Sequence, residues 1–273
     1  MAEPAPAIAL EGVSYVIGPA RLVDDVRLAV RAGEVLGVLG PNGAGKSTLM
    51  KLVSGEIAPT SGRILLDGVP IAQHRPALLA RRRAVVPQSS HLTFPFTALE
   101  VTMLGASVPG FGASDEVTDV AKEALRRIGL AALADRSFMD LSGGERQRVH
   151  IARAMCQLET ARRRPGETPL LLLDEPTSNL DVGHQRLVLD AMRAFAADGL
   201  AVMAILHDIN LAAAYCDRLA LMRDGAVVET GQPADVVRDD PLSCAFGCTL
   251  AANIVPQDGT PFVLPTTSGT ARH

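Results

Sequence analysis

The chain has no tryptophan, two tyrosines and seven phenylalanines in 273 residues. An aromatic in a loop is therefore a feature to explain, and Phe94, Pro95 and Phe96 stand together in one, as a contact surface would. No uncharged apolar run approaches the roughly 20 residues that cross a bilayer as a helix. The longest candidates, such as GLAVMAIL at 199–206, are strand-sized, so any membrane role is expected to be peripheral. The start, MAEPAPAIALEG, lacks the basic and apolar regions of a secretory signal. Cysteine is sparse, with only Cys156, Cys216, Cys244 and Cys248. The close pair, Cys244 and Cys248, has no second pair or histidine cluster to complete a metal site, which leads us to expect reduced, mostly structural thiols of a cytosolic protein. Basic charge is not in excess either: the formal net charge is −4, which argues against nucleic acid as a partner. The runs Arg81–Arg83 and Arg162–Arg164 are expected to be solvated surface. Internal repeats and low-complexity segments are absent, and TTSGTARH at 266–273 is expected to fray.

What is present alternates between strands and helices. IALEGVSYVI, RLVDDVRLAV and GEVLGVLG, within residues 8–40, read as strands parted by turn signals at Gly18-Pro19 and Ala32-Gly33, the third being buried. A helix starts at Lys46, carries Leu49, Met50 and Val53 on one face, and is stopped by Gly55. PTSGRILLDGVPI, at 59–71, reads as turn, strand, turn. From about 95 to 158 helices dominate, among them DEVTDVAKEALRRIGL at 115–130 with the apolar stripe Val117, Val120, Ala124, Leu125 and Ile128. PLLLLDEP then has the continuous apolar character of a buried parallel strand. It is followed by a helix bearing Leu187, Val188, Ala191, Met192 and Phe195 that ends at Gly199, and by a strand over 200–206. The polar stretch ETARRRPGET, at 159–168, reads as an exposed loop.

Three motifs carry chemistry. GPNGAGKS, Gly40 to Ser47, fits the pattern G-x-x-x-x-G-K-[ST] between a strand and a helix. In such a loop glycines let backbone N–H groups wrap phosphates, Lys46 supplies a charge at the β- and γ-phosphates, and the Ser47 hydroxyl is placed to ligate Mg2+. Gly40, Pro41, Asn42, Gly43, Ala44, Gly45, Lys46, Ser47 and Thr48 are thus the candidate nucleotide cradle. LLLLDE ends in two carboxylates, of which Asp174 is assigned to the metal and Glu175 to the attacking water. DLSGGERQRVHIARA opens with Ser142, Gly143 and Gly144 at the start of a helix, a second anion-binding arrangement. Gln88 and His207 follow strand-like runs, which places them at the carboxyl edge of a sheet, where open α/β folds bind ligands.

Taken in order, GPNGAGKST, Gln88, LSGGERQR, LLLLDEP, SNLD and His207 resemble the nucleotide-binding subunit of ATP-binding cassette (ABC) transporters, over nearly the whole chain. The resemblance implies an α/β fold formed as one domain, 1–273. Its P-loop NTPase core is RecA-like and has an N-terminal antiparallel β subdomain, spanning 1–90 and 165–273, with an α-helical signature subdomain inserted at 91–160. It also implies that Tyr15 stacks on adenine, Gln88 reaches Mg2+ and the membrane partner, and His207 contacts the γ-phosphate. Two copies would sandwich two ATP molecules, Ser142 and Gly144 serving the partner's nucleotide, with the Ser178–Asp181 loop crossing the interface. Asn179 departs from the commoner alanine there.

Soluble cassettes of DNA repair, chromosome structure or translation usually carry a long coiled-coil insertion or two tandem cassettes, and this chain has neither, so a transport subunit is the main expectation and a soluble cassette the alternative. HLTFPFTALEVTMLG, the loop before LLLLDE, SNLDVGHQ and GTPFVLP most resemble the haem-importer branch, with ferric-siderophore and cobalamin importers next. That resemblance implies transmembrane permease subunits, a periplasmic substrate-binding protein and the cytoplasmic face of a bacterial inner membrane. Residues 89–105 would grip the permease, and His184 is expected to pack in the core or an interface.

Overall fold

The computed structural model describes residues 6–88, 94–106, 114–161, 167–178, 180–255, 259–261 and 263. Arg162–Arg164, Asn179 and the tail 266–273 lie outside the described residues.

In chain order the elements are β1 (Ile8–Ile17), β2 (Ala20–Val30), β3 (Val35–Leu39), α1 (Lys46–Ser54), β4 (Ser61–Leu66) and β5 (Val69–Pro70). There follow α2 (Pro76–Arg82), β6 (Arg83–Val86), α3 (Ala98–Met103), α4 (Ser114–Arg127), α5 (Gly143–Ala161), β7 (Leu170–Asp174) and α6 (Val182–Ala197). The chain continues with β8 (Ala201–Ile205), α7 (Ile209–Tyr215), β9 (Arg218–Arg223), β10 (Ala226–Gly231), α8 (Pro233–Val236) and α9 (Asp239–Phe246). They build an antiparallel sheet of order β2-β1-β4-β5 and a six-stranded sheet of order β10-β9-β3-β8-β7-β6. In the latter only β10 runs antiparallel to its neighbour.

The period of two along each strand explains why the central strands are apolar throughout. Leu36, Val38, Leu170, Leu172, Met203 and Ile205 face one way and join β1, β2 and α1 in one core. Val35, Leu39, Leu171, Leu173, Val202 and Ala204 face the other way and pack beneath the helices that carry Leu125, Ile128, Met155, Phe195 and Tyr215. Burying a single leucine on either face contributes about 2 kcal/mol. The sheet register pairs Val38 with Ile205, Asp174 with Ile205, and Val86 with Leu173, so β3, β6, β7 and β8 end at one carboxyl edge.

Several expectations need correction. The fourth helix covers 114–127 rather than 115–130, because Gly129 takes φ 69 and closes a double stop: Gly129 N–H donates to Arg126 O and Leu130 N–H to Leu125 O. Gly55 and Gly199 make the same stop, as the sequence suggested. The stripe on α4 is also shared, since Ala124, Leu125 and Ile128 enter the main core while Val117 and Val120 pack with Ala121 and Cys156. The helix α5 runs through Ala161, with Glu159 paired to Arg127, so the polar loop starts later than residue 159. Leu187 is only half-buried, and Leu189 takes the core position instead.

Arg82 is not solvated surface. It closes α2 just before β6, is 5% exposed, and pairs with Asp67 and Glu167. The thiols divide: Cys156 and Cys216 are buried and pushed up to about 12 by burial, whereas Cys244 and Cys248 are exposed. Phe94 is exposed, but Phe96 is half-buried against the main core, so only part of that loop is free surface.

Candidate functional site

The strand β3 delivers the chain into Gly40–Gly45 at the sheet's carboxyl edge, and α1 leaves from Lys46. Glycine is demanded here by close approach. A Cβ at Gly40 would lie 2.2 Å from Met222 O, and one at Gly45 would lie 2.4 Å from Leu22 O, with φ +151 and +95 at the two positions. The loop is thereby pressed against β2 and β9. Lys46 folds over it, Nζ donating to Gly40 O at 2.7 Å and to Pro41 O at 2.8 Å. Burial lowers the Lys46 pKa, opposed by the charges of Glu175 and Asp174. A cleft of about 260 Å³ opens beside Asn42 to Thr48, with Leu22 and Glu175 on its other walls. Leu22 was missed in the sequence because it contributes through its backbone, which no residue pattern reports. Tyr15 pairs with Val23, the neighbour of Leu22, and is half-buried against the core on that side.

Asp174 is the last residue of β7, and Glu175 follows it in the left-handed region, φ 50. That conformation strains a residue with a Cβ, and it turns the carboxylate off the strand direction. Two neighbours hold it there: His207 Nε2 lies 2.5 Å from Glu175 Oε1, and Gln88 Nε2 donates to Glu175 Oε2 at 2.5 Å. Three residues far apart in sequence thus meet through the shared strand ends. Asp174 Oδ1 is buried and accepts no hydrogen bond from the described residues. Burial raises the Asp174 pKa and Glu175 raises it further, while Lys46 and His207 pull it down. An orphaned carboxylate oxygen beside a phosphate loop fits a cation. Among the described residues there is no group of three or more His, Cys, Asp or Glu able to hold a metal unaided.

A second cleft, of about 330 Å³, is lined by Ser142, Gly143, Gly144, Glu145, Arg148, Leu180, Asp181 and His184. Ser142 Oγ accepts from Glu145 N–H, and Glu145 Oε2 accepts from Ser142 N–H, a reciprocal cap on α5. The serine-to-glutamate spacing was visible in the sequence and passed over. Nothing stands within 4 Å of where a Cβ at Gly143 would be, so its own fold does not require glycine there. A small residue there leaves the helix start open to an approaching anion. His184 is not a core residue, as its ring is exposed on the cleft wall beside Asp181. Among the described residues, none lines both clefts.

Residues 23–178 match the family model of ABC transporters. The chain is 43% identical over 258 residues to the hemin import ATP-binding protein HmuV of Agrobacterium fabrum, covering 94% of this chain and 98% of that one. To HmuV of Mesorhizobium japonicum it is 44% identical over 257 residues, with 94% and 97% covered. Among solved structures it resembles the ATP-binding cassette MJ0796 in a dimeric post-hydrolysis state bound to ADP and Pi. The TM-score is 0.71 at 27% identity, covering 83% of this chain and 98% of that one.

Proposed function

We propose, from the premise that this chain belongs to the ABC transporter family, that it is the ATP-hydrolysing subunit driving import of haem (hemin) through a partner permease. The observation that carries the chemistry is Glu175, held between His207 and Gln88 at the mouth of the Lys46 loop. Cargo is assigned from the hemin import relatives, which match this chain almost end to end.

The Gly40–Thr48 cradle binds the phosphates of ATP, and Lys46 exchanges its loop carbonyls for the β- and γ-phosphate oxygens. Glu175 orients and polarises the attacking water, while His207 donates toward the γ-phosphate. Asp174 Oδ1, the Ser47 hydroxyl and the Gln88 amide oxygen would hold Mg2+, which neutralises phosphate charge when bound. Tyr15 stacks on the base.

Two copies face head to tail, so that each Ser142–Gly144 helix start and Asp181 loop closes over the nucleotide of the other. Two separate clefts in one chain support that reading. The helical unit 91–160 then carries the Ser142–Gly144 side of the signature cleft, and residues 1–90 and 165–273 form the catalytic core and supply the facing wall at Leu180, Asp181 and His184. Among the described residues no helix is long and apolar enough to cross a membrane. The subunit works peripherally, at the cytoplasmic face of a bacterial inner membrane, beneath its permease and a periplasmic substrate-binding protein.

The test is extraction with gentle detergent, followed by ATPase assay of the complex supplied with a haem-loaded binding protein. Co-purification of a multi-helix permease and haem-stimulated turnover are expected. A permease without a haem response moves the cargo to a siderophore or cobalamin, and no membrane partner at all overturns the transport assignment.

A further inference from the structure

The histidine on the wall of the signature cleft has no role in the scheme above. Asp181 caps α6 through Oδ1, which accepts His184 N–H at 2.9 Å. Its other oxygen, Oδ2, lies 2.7 Å from the His184 ring Nδ1. The cap needs only the first of these contacts. The second fixes the imidazole in one orientation, with Nδ1 spent on the carboxylate and Nε2 on the far flank of the ring. No described residue takes a hydrogen bond from Nε2.

The surrounding charges favour an anion. Both carboxylates of the cleft are engaged, Glu145 by Ser142 N–H and Asp181 by His184. Each is held below the usual carboxylate range by those bonds. Donors are left over: the Gly143 and Gly144 amides at the start of the 19-residue α5, and Arg148. Arg148 is 3% exposed, gives one guanidinium N–H to Ile128 O, and keeps Nε without a hydrogen-bond partner among the described residues. A cleft with satisfied acceptors and unspent donors is built for phosphate.

We infer that His184, as the imidazolium that carries a proton on each nitrogen, is a positioning residue for the nucleotide of the facing copy, giving Nδ1–H to Asp181 and Nε2–H to a phosphate oxygen held at Ser142–Gly144. The inference rests on the two-copy arrangement proposed above, and adds to it a hydrogen bond whose donor is aimed by Asp181. The loop that crosses the interface would then sense the nucleotide directly.

Two near-isosteres separate this role from helix capping. Glutamine places an amide N–H near the position of Nε2 but gives up the Asp181 contact, whereas asparagine mimics Nδ1 and lacks the distal donor. In the full chain carrying Glu175→Gln, the ATP concentration for half-maximal dimer formation is measured by sedimentation, with urea midpoints to check folding. His184→Ala and His184→Asn are expected to raise it about tenfold, the effect of one hydrogen bond to a charged group. His184→Gln is expected to stay within about threefold of the background. Equal values for all three variants overturn the inference, as does rescue by asparagine and not by glutamine. If the Glu175→Gln background itself fails to dimerise with ATP, the two-copy reading falls and takes the inference with it.

Discussion

At the scale of single residues, the hold on Glu175 makes it the most informative position. Glu175→Gln keeps the shape and, with its single amide oxygen, one of the two contacts to Gln88 and His207, but removes the charge that polarises water. ATP binding should persist while turnover falls about 10²- to 10⁴-fold, which a filter-binding assay beside phosphate release will show. Near-normal turnover would dismiss Glu175 from its role. Lys46→Ala should weaken binding and turnover together, since its charge meets phosphate in both ground and transition states. A different residue sets a pH dependence of stability. His150 is buried against Phe138 and depressed to about 4, chiefly by burial and then by Arg153. Between that value and about 6.5 the unfolded chain binds a proton that the folded chain refuses, so stability rises with pH across this window and is lost as pH falls through it. The contribution is about 3 kcal/mol. Urea midpoints at pH 5 and pH 7 should therefore differ less in His150→Leu than in the natural chain.

At the scale of elements, packing distance decides. A Cβ at Gly105, just beyond α3, would lie 2.1 Å from Arg153 O on α5. Gly105→Ala must push the two helices apart, costing about 2 kcal/mol and lowering Tm by about 5 °C in a calorimetric scan. An unchanged Tm would show that the helices separate freely. Arg82 ties the turn after β4 and the approach to β7 to the end of α2 through Asp67 and Glu167. Both partners keep some access to water, so its loss leaves them less stranded than a fully buried pair would be. At this scale much was legible in advance. The apolar runs that became β3, β7 and β8 are continuous because both faces are covered, and a helix stop such as Gly55 announces itself locally. The end of α4 at Gly129 was not seen, because the apolar stripe continues to Ile128 and periodicity alone does not register a reversal of φ. β9 and β10 went unremarked, as their order in the sheet is set by pairing across the chain.

At the scale of the whole molecule, exposed apolar surface should mark the permease contact. Phe94 is 64% exposed while Phe96 leans on the core. Phe94→Asp is expected to abolish co-purification with the permease and leave the fold intact, whereas Phe96→Asp should cost stability first. Retained co-purification and stimulated ATPase in Phe94→Asp would place the contact elsewhere.

The sequence by itself determined the chemistry. The glycine spacing before Lys46, the paired carboxylates after a leucine run, and Ser142-Gly-Gly opening a helix are local patterns, legible from neighbouring residues alone. Tertiary structure alone decided that Gln88, Glu175 and His207 meet, because separate strands must end in register for their following residues to converge. It likewise decided that Arg82 is buried and that His184 faces the signature cleft. Charge and local periodicity say what a side chain is able to do, but which surface covers it is set by contacts between residues far apart in the chain.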